Sequence, residues 1–268
     1  MKNYICVTCG TQYAASETPP EKCSICEDER QYVPEGGQQW TTLDKLQKNH
    51  KLIFHKIAEN LYGIGANPKF GIGQRALLVT TPAGNILWDC ISLINDTACD
   101  LLNALGGLDA IAISHPHYYS SMIEWSRAFG DIPVYLHEND RQWVQRNDAT
   151  INFWSGQSKK ILQNLTLYNA GGHFDGGTIL HWPEGAEHKG ALLTGDILQV
   201  TADRRHLSFM YSYPNDIPLN KKAVQQIKNI TEPLTFDKIY GAWWGRNIPE
   251  KAKEAVNHSA ERYIRAIN

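Results

Sequence analysis

Two residue types able to bind soft or borderline metal ions recur in this chain at spacings that matter: histidine at i and i+2, and cysteine at i and i+3. Ser114-His115-Pro116-His117-Tyr118-Tyr119-Ser120 follows the apolar run Leu108–Ile113 and precedes the amphipathic start Met122-Ile123-Glu124-Trp125. This places both imidazoles in a loop between a buried strand and a helix, with Pro116 ending the strand ladder. Two histidines there can turn toward one divalent cation. Near the amino terminus, Cys6-Val7-Thr8-Cys9 and Cys23-Ser24-Ile25-Cys26 form two Cys-x-x-Cys knuckles, thirteen residues apart. Four thiolates so spaced can close a tetrahedral site around zinc or iron.

The histidine motif resembles the metallo-β-lactamase superfamily, whose signature at this place is His-x-His-x-Asp-His. His115 and His117 match its first two histidines, whereas Tyr119 stands where that family has Asp and Ser120 where it has His. Further matches follow in order. Gly171–Gly177 resembles the loop of the third histidine, here His173; Leu193-Thr194-Gly195-Asp196 resembles the strand end with the bridging Asp; Gly84–Asp89 resembles the early turn, strand and structural Asp. The late histidine has no counterpart, since Ala242-Trp243-Trp244-Gly245-Arg246 occupies its loop and no histidine lies between His206 and His258. The resemblance therefore implies a retained three-histidine site with Asp196, a second site that has lost its ligands, and one metal ion instead of two. That ion is expected to be zinc, with iron and manganese as alternatives. The implied fold is α/β (α+β), a four-layer αββα sandwich.

A divalent ion on three neutral imidazoles keeps its full charge and an open position, where it makes water a nucleophile near neutral pH. Asp196 would complete the coordination or take up the proton of that water. The expected reaction is hydrolysis of an ester, thioester, amide or similar acyl bond of a small molecule. With one Lewis acid missing, Tyr119 and one of Arg204 and Arg205 are the expected stabilisers of developing negative charge, and Trp243 is an expected substrate contact. Leu207–Pro214, rich in aromatics, is either a cover over the substrate or a buried connection.

The segment from Met1 to Pro34 has too little apolar sequence for a core, so metal binding would supply its folding energy. It resembles both the rubredoxin-like modules of rubrerythrins and zinc ribbons. Glu27, where the rubredoxin pattern has glycine, favours structural zinc. A disulfide framework is the alternative. Met1-Lys2-Asn3 runs into the first knuckle without a charged-then-apolar leader, so a reducing, cytoplasmic setting and a metal site are expected. Lys2, Lys22 and Arg30 face Glu17, Glu21, Glu27, Asp28, Glu29 and Glu35 in residues 1–36. That acidic balance argues against nucleic acid and for a module that docks a protein partner or stabilises the chain.

The chain of 268 residues has a net charge of −2 and no basic block. It accommodates a small module, residues 1–36, and a large domain, residues 37–268, joined through Glu35-Gly36-Gly37-Gln38-Gln39. No run of apolar residues is long enough to span a membrane. Expected helices include Leu43–Phe54, one from Asn95 or Asp96 to Gly106, Asn139–Arg146, Asn220–Ile230 and Pro249–Ile267. Expected strands include Leu61–Ala66, Ala76–Thr80, Ile86–Cys90, Val134–His137, Thr178–Trp182 and Ala191–Thr194. Cys90 reads as a packed residue and Cys99 as a helix residue, with no partner histidine close in sequence to make either a nucleophile. Two other functions fit the same residues: an iron redox protein passing electrons from the knuckles to a histidine-ligated iron, and a non-catalytic small-molecule binding protein.

Overall fold

Period-two alternation within the strands decides the layering. In the strand Ala76–Thr81, Leu77 and Val79 join one core while Ala76 and Leu78 join another. In Ala110–Ala112 the two alanines point to the first core and Ile111 to the second. Strands with apolar residues on both faces must be covered on both sides. The computed structural model, which describes residues 1–267, shows the resulting four-layer αββα arrangement.

The first sheet has seven strands in the order Lys51–Ala58, Leu61–Asn67, Ala76–Thr81, Gly84–Trp88, Ala110–Ala112, Val134–His137 and Ile151–Trp154. Its first four strands form an antiparallel meander and the rest add in parallel. The second sheet runs Ser158–Ile161, Leu165–Asn169, Thr178–Trp182, Ala191–Gly195, Lys238–Gly241, Asn247–Ile248. Trp88, Trp154, Leu167, Leu180, Trp182, Leu193 and Tyr240 fill the space between the sheets. The outer face of the first sheet is covered by Asp96–Ala104 and Met122–Ala128, through Ala98, Leu102, Ile123 and Trp125. The outer face of the second is covered by Lys221–Thr231 and Ala252–Ala266, through Val224, Ile227, Val256 and Ala260. Asn95 and Asn220 cap two of these helices by accepting from the amides of Ala98 and Ala223, as short polar side chains at that position do.

The expected helix over Leu43–Phe54 stops at Asn49, and Lys51–Ala58 is a strand. The β-branched and aromatic run there gains a full antiparallel partner in Leu61–Asn67, which outweighs its helical spacing. Asn139–Arg146 is likewise reduced to a 3₁₀ stretch, Glu138–Trp143.

At the amino end, Tyr4–Cys6 pairs antiparallel with Trp40–Thr42, so the chain returns to the four-cysteine module after the glycine linker. Among the described residues no helix is long and apolar enough to cross a membrane.

Candidate metal centre

Both centres sit where backbone geometry leaves few choices. His115 lies three residues past the strand Ala110–Ala112 in extended conformation, and Pro116–Tyr118 forms one 3₁₀ turn. Asp89, in the left-handed region at φ 59°, follows the neighbouring parallel strand and accepts from the Ser114 amide at 2.7 Å. This bond fixes the start of the histidine loop. Gly195 has φ 55°, and a Cβ on it would lie 2.5 Å from Ser114 Oγ. Only glycine therefore lets the Asp196 strand end approach the histidine loop. His173 arrives on the turn Gly171–Gly177, whose Gly177 amide donates to Phe174 O at 2.9 Å.

The three histidines named in the sequence reading lie together. His115, His117 and His173 are buried and each offers a ring nitrogen within 4.8 Å of the others'. His173 Nδ1 lies 3.1 Å from Met210 O, which can only accept, so Nδ1 carries the proton and Nε2 the lone pair. That Nε2 faces His117 Nδ1 at 3.2 Å, and His115 Nε2 faces Asp196 Oδ1 at 3.2 Å. His115 Nε2, Asp196 Oδ1 and Tyr118 Oη are buried without a hydrogen-bond partner. Buried ring nitrogens and a carboxylate oxygen crowded together are costly unless a cation shares their lone pairs. Burial pushes His115 and His117 well below the ordinary imidazole range, and His173 down to about 4. The three rings are thus neutral at physiological pH, as metal ligation requires. Burial, with the charge of Asp89 second, pushes Asp196 up to about 8. A cation would reverse that, because its charge favours the carboxylate. The residues present fit a divalent metal ion.

Tyr119 is not part of this cluster. It donates to Asp140 O at 3.4 Å, and Tyr118 takes the place expected for it, with its ring 4.3 Å from that of His115. The reason is the 3₁₀ turn, in which residues i and i+3 eclipse; His115 and Tyr118 stand at that spacing. The proline after His115 was the signal for such a turn. Ser120 is also turned away, donating to Cys90 O at 3.3 Å and accepting from Gln74 Nε2 at 3.1 Å.

Arg204 and Arg205 are a second correction. They lie exposed at the tip of the hairpin joining Gln199–Val200 to Leu207–Ser208, beside a depression lined by Lys251, Glu254 and His258. Asp203 Oδ1 accepts from the amides of Arg205 and His206, which closes the turn and points the arginines outward. Trp243 is half-buried, its ring 6.4 Å from that of Tyr118 and its Nε1 donating to Ile72 O at 3.4 Å. It backs the tyrosine and does not reach the triad.

Leu207–Pro214 is a connection packed against the triad. Phe209 is buried, while Met210 supplies the carbonyl for His173 and Tyr213 Oη donates to Asp196 O at 2.9 Å. Residues that the sequence reading passed over are Tyr118, Tyr213 and Phe174. Phe174 packs on all three imidazoles, with centroids 5.5, 4.9 and 5.2 Å from those of His115, His117 and His173.

In the second centre, Cys6, Cys9, Cys23 and Cys26 are buried, with sulfurs within 4.8 Å of one another. The pairs Cys6–Cys26 and Cys9–Cys23 stand at 3.5 and 3.6 Å. These separations are too long for a disulfide bond, and the cysteines are free. Gln38 Nε2 donates to Cys6 Sγ at 3.1 Å and the Cys9 amide at 3.5 Å. Such donors favour thiolate character, so this centre also fits a metal ion. Cys90 is fully buried, and burial pushes its thiol well up, which makes it inert packing.

No protein-family model matches the chain. The chain is 49% identical to the uncharacterized protein YmaE of Bacillus subtilis (strain 168), over all of this chain and 98% of that protein. Among solved structures it is similar to the metallo-β-lactamase GOB-18 from Elizabethkingia meningoseptica, at 15% identity and a TM-score of 0.53 over 82% of this chain and 94% of that one. The metallo-β-lactamase FIM-1 from Pseudomonas aeruginosa in its mono-zinc form gives 15% identity and a TM-score of 0.54, over 79% and 95% of the two chains. A B3 metallo-β-lactamase with an active-site glutamic acid gives 18% and 0.55, over 81% and 89%. At these identities the likeness establishes the fold, and function must be argued from the site.

Proposed function

The chain belongs to the same family as YmaE of Bacillus subtilis, and from its metallo-β-lactamase fold and buried histidine triad we propose that it is a mononuclear metal-dependent hydrolase of acyl bonds. The observation that carries this reading is the convergence of neutral imidazole nitrogens with the Asp196 carboxylate and the Tyr118 phenol in a buried site. A divalent ion there, with zinc the first candidate, would supply Lewis acidity and an activated water. His115, His117 and His173 would hold it. Asp196, 3.2 Å from His115 Nε2, would orient the attacking water and accept its proton. Tyr118, buried beside Asp196, would donate to the oxygen that gains negative charge.

One metal instead of two is supported by what occupies the remaining positions. Tyr119 and Ser120 direct their polar atoms to Asp140 O and to Cys90 O. The late loop spends its groups on structure: Ala242 N donates to Gly195 O, and Arg75 reaches Gly241 O. The four cysteines are read as a structural zinc site.

Elemental analysis of the full chain, purified without added metal, should give two equivalents of metal. His117→Ala should retain one and lose turnover of activated esters and thioesters. Unchanged turnover in that variant would overturn the proposal.

A further inference from the structure

The four-cysteine module does not stand apart from the histidine site. Its segment after the second knuckle lies against the loop Met210–Asn215. Tyr211 Oη donates to Glu29 Oε1 at 2.7 Å, Ser212 Oγ donates to Arg30 O at 3.2 Å, and Asn215 Nδ2 donates to the carbonyls of Glu29 and Gln31, each at 2.9 Å. Met210 in that loop is the residue whose carbonyl fixes the tautomer of His173. Trp143 packs against the cysteine core from the large domain.

Arg30 reaches furthest. Its Nη1 donates to His173 O at 3.4 Å, and its guanidinium carbon stands 4.0 Å from the centroid of Phe174. Trp143 and Tyr211 flank it, each ring 5.2 Å away. Phe174 in turn touches all three imidazoles. Arg30 is itself gripped by Asp28, which accepts from Nε at 2.5 Å and from Nη2 at 2.9 Å. The fork holds the planar guanidinium in one orientation. It also places a carboxylate beside a positive charge that would otherwise repel a cation at the histidines.

We propose that Arg30 is a positioning residue for the three-histidine site, acting through Phe174 and the His173 backbone, so that the cysteine module forms part of that site. The proposal rests on the triad being a metal centre. Partners outside the ligand set of a metal site commonly set its affinity by about 10- to 100-fold. Arg30 differs from such partners in arriving from a separate metal module, which links seating of the module to the geometry of the triad.

The test is a zinc titration of the full chain, after metal removal and in competition with a chromophoric chelator. The Cys23→Ser variant identifies which equivalent belongs to the cysteines. In Arg30→Met, which keeps the aliphatic length, the histidine equivalent should weaken by about 10-fold while the cysteine equivalent and the melting temperature stay unchanged. Arg30→Lys should recover part of that loss. Asp28→Asn should weaken the same equivalent, because it frees the guanidinium and removes the compensating charge. Wild-type affinity for both equivalents in Arg30→Met and Asp28→Asn would overturn the proposal. So would equal weakening of both equivalents together with a lower melting temperature, which marks a general folding role. A wild-type chain that binds only the cysteine equivalent would overturn the metal-centre reading itself, a distinguishable result.

Discussion

Replacing Asp89 separates two contributions that hold the histidine loop. The side chain accepts from the Ser114 amide at 2.7 Å in a fully buried setting, and the residue itself has φ 59°. Asp89→Ala removes the acceptor, leaving a buried N–H unsatisfied at about 1–3 kcal/mol. It also puts a residue without a locally bonding side chain in the left-handed region, at about 1 kcal/mol more. The sum is about 3 kcal/mol. Asp89→Gly removes the acceptor but relieves the backbone, so it should lose about 1 kcal/mol less than the alanine variant. Asp89→Asn keeps an oxygen acceptor and tolerates the same φ, and should stay within about 1 kcal/mol of wild type. The assay is urea unfolding by linear extrapolation at one fixed zinc concentration and pH, since bound metal adds its own linkage. The order of loss should be alanine, then glycine, then asparagine. An asparagine variant as unstable as the alanine variant would refute the reasoning, because the charge and not the acceptor would then carry the effect.

Two further outcomes are expected. Cys23→Ser should lose one metal equivalent and expose the first forty residues to limited proteolysis, because the module has little core besides its cysteines and Ile25; an unchanged metal count would contradict this. Asp140 is pushed up to about 7 by burial, although the Gly176 amide donates to it at 2.9 Å. A folded value above the unfolded one means that its favourable contribution is complete below about pH 4 and is lost as pH rises through 7. Asp140→Asn, which cannot ionise, should therefore be more stable than wild type at pH 8, by up to about 4 kcal/mol, and equal to it at pH 4. A difference independent of pH would count against the buried-charge explanation.

The local sequence determined a great deal about this protein. The spacing of Cys6, Cys9, Cys23 and Cys26, and the histidines after an apolar run, identified both candidate centres. This worked because ligand chemistry depends on residue type and short-range geometry. The apolar run Leu108–Ile113 read as a buried strand, and its apolar residues divide between two cores, as a four-layer fold requires. The helices expected from Asn95 or Asp96 and from Asn220 begin there, each capped by the asparagine side chain.

Only the tertiary structure decided which side chains from distant segments share a space. Tyr118 and not Tyr119 meets His115, because a 3₁₀ turn changes side-chain direction by a third of a circle per residue. Arg204 and Arg205 follow Asp196 closely in sequence, yet a capped hairpin turn sends them to solvent. Arg30 lies more than a hundred residues from His173 in sequence and contacts it in space. Periodicity records which face of an element is buried. It carries no record of what another segment brings to that face, since such contacts are fixed by packing of the whole chain.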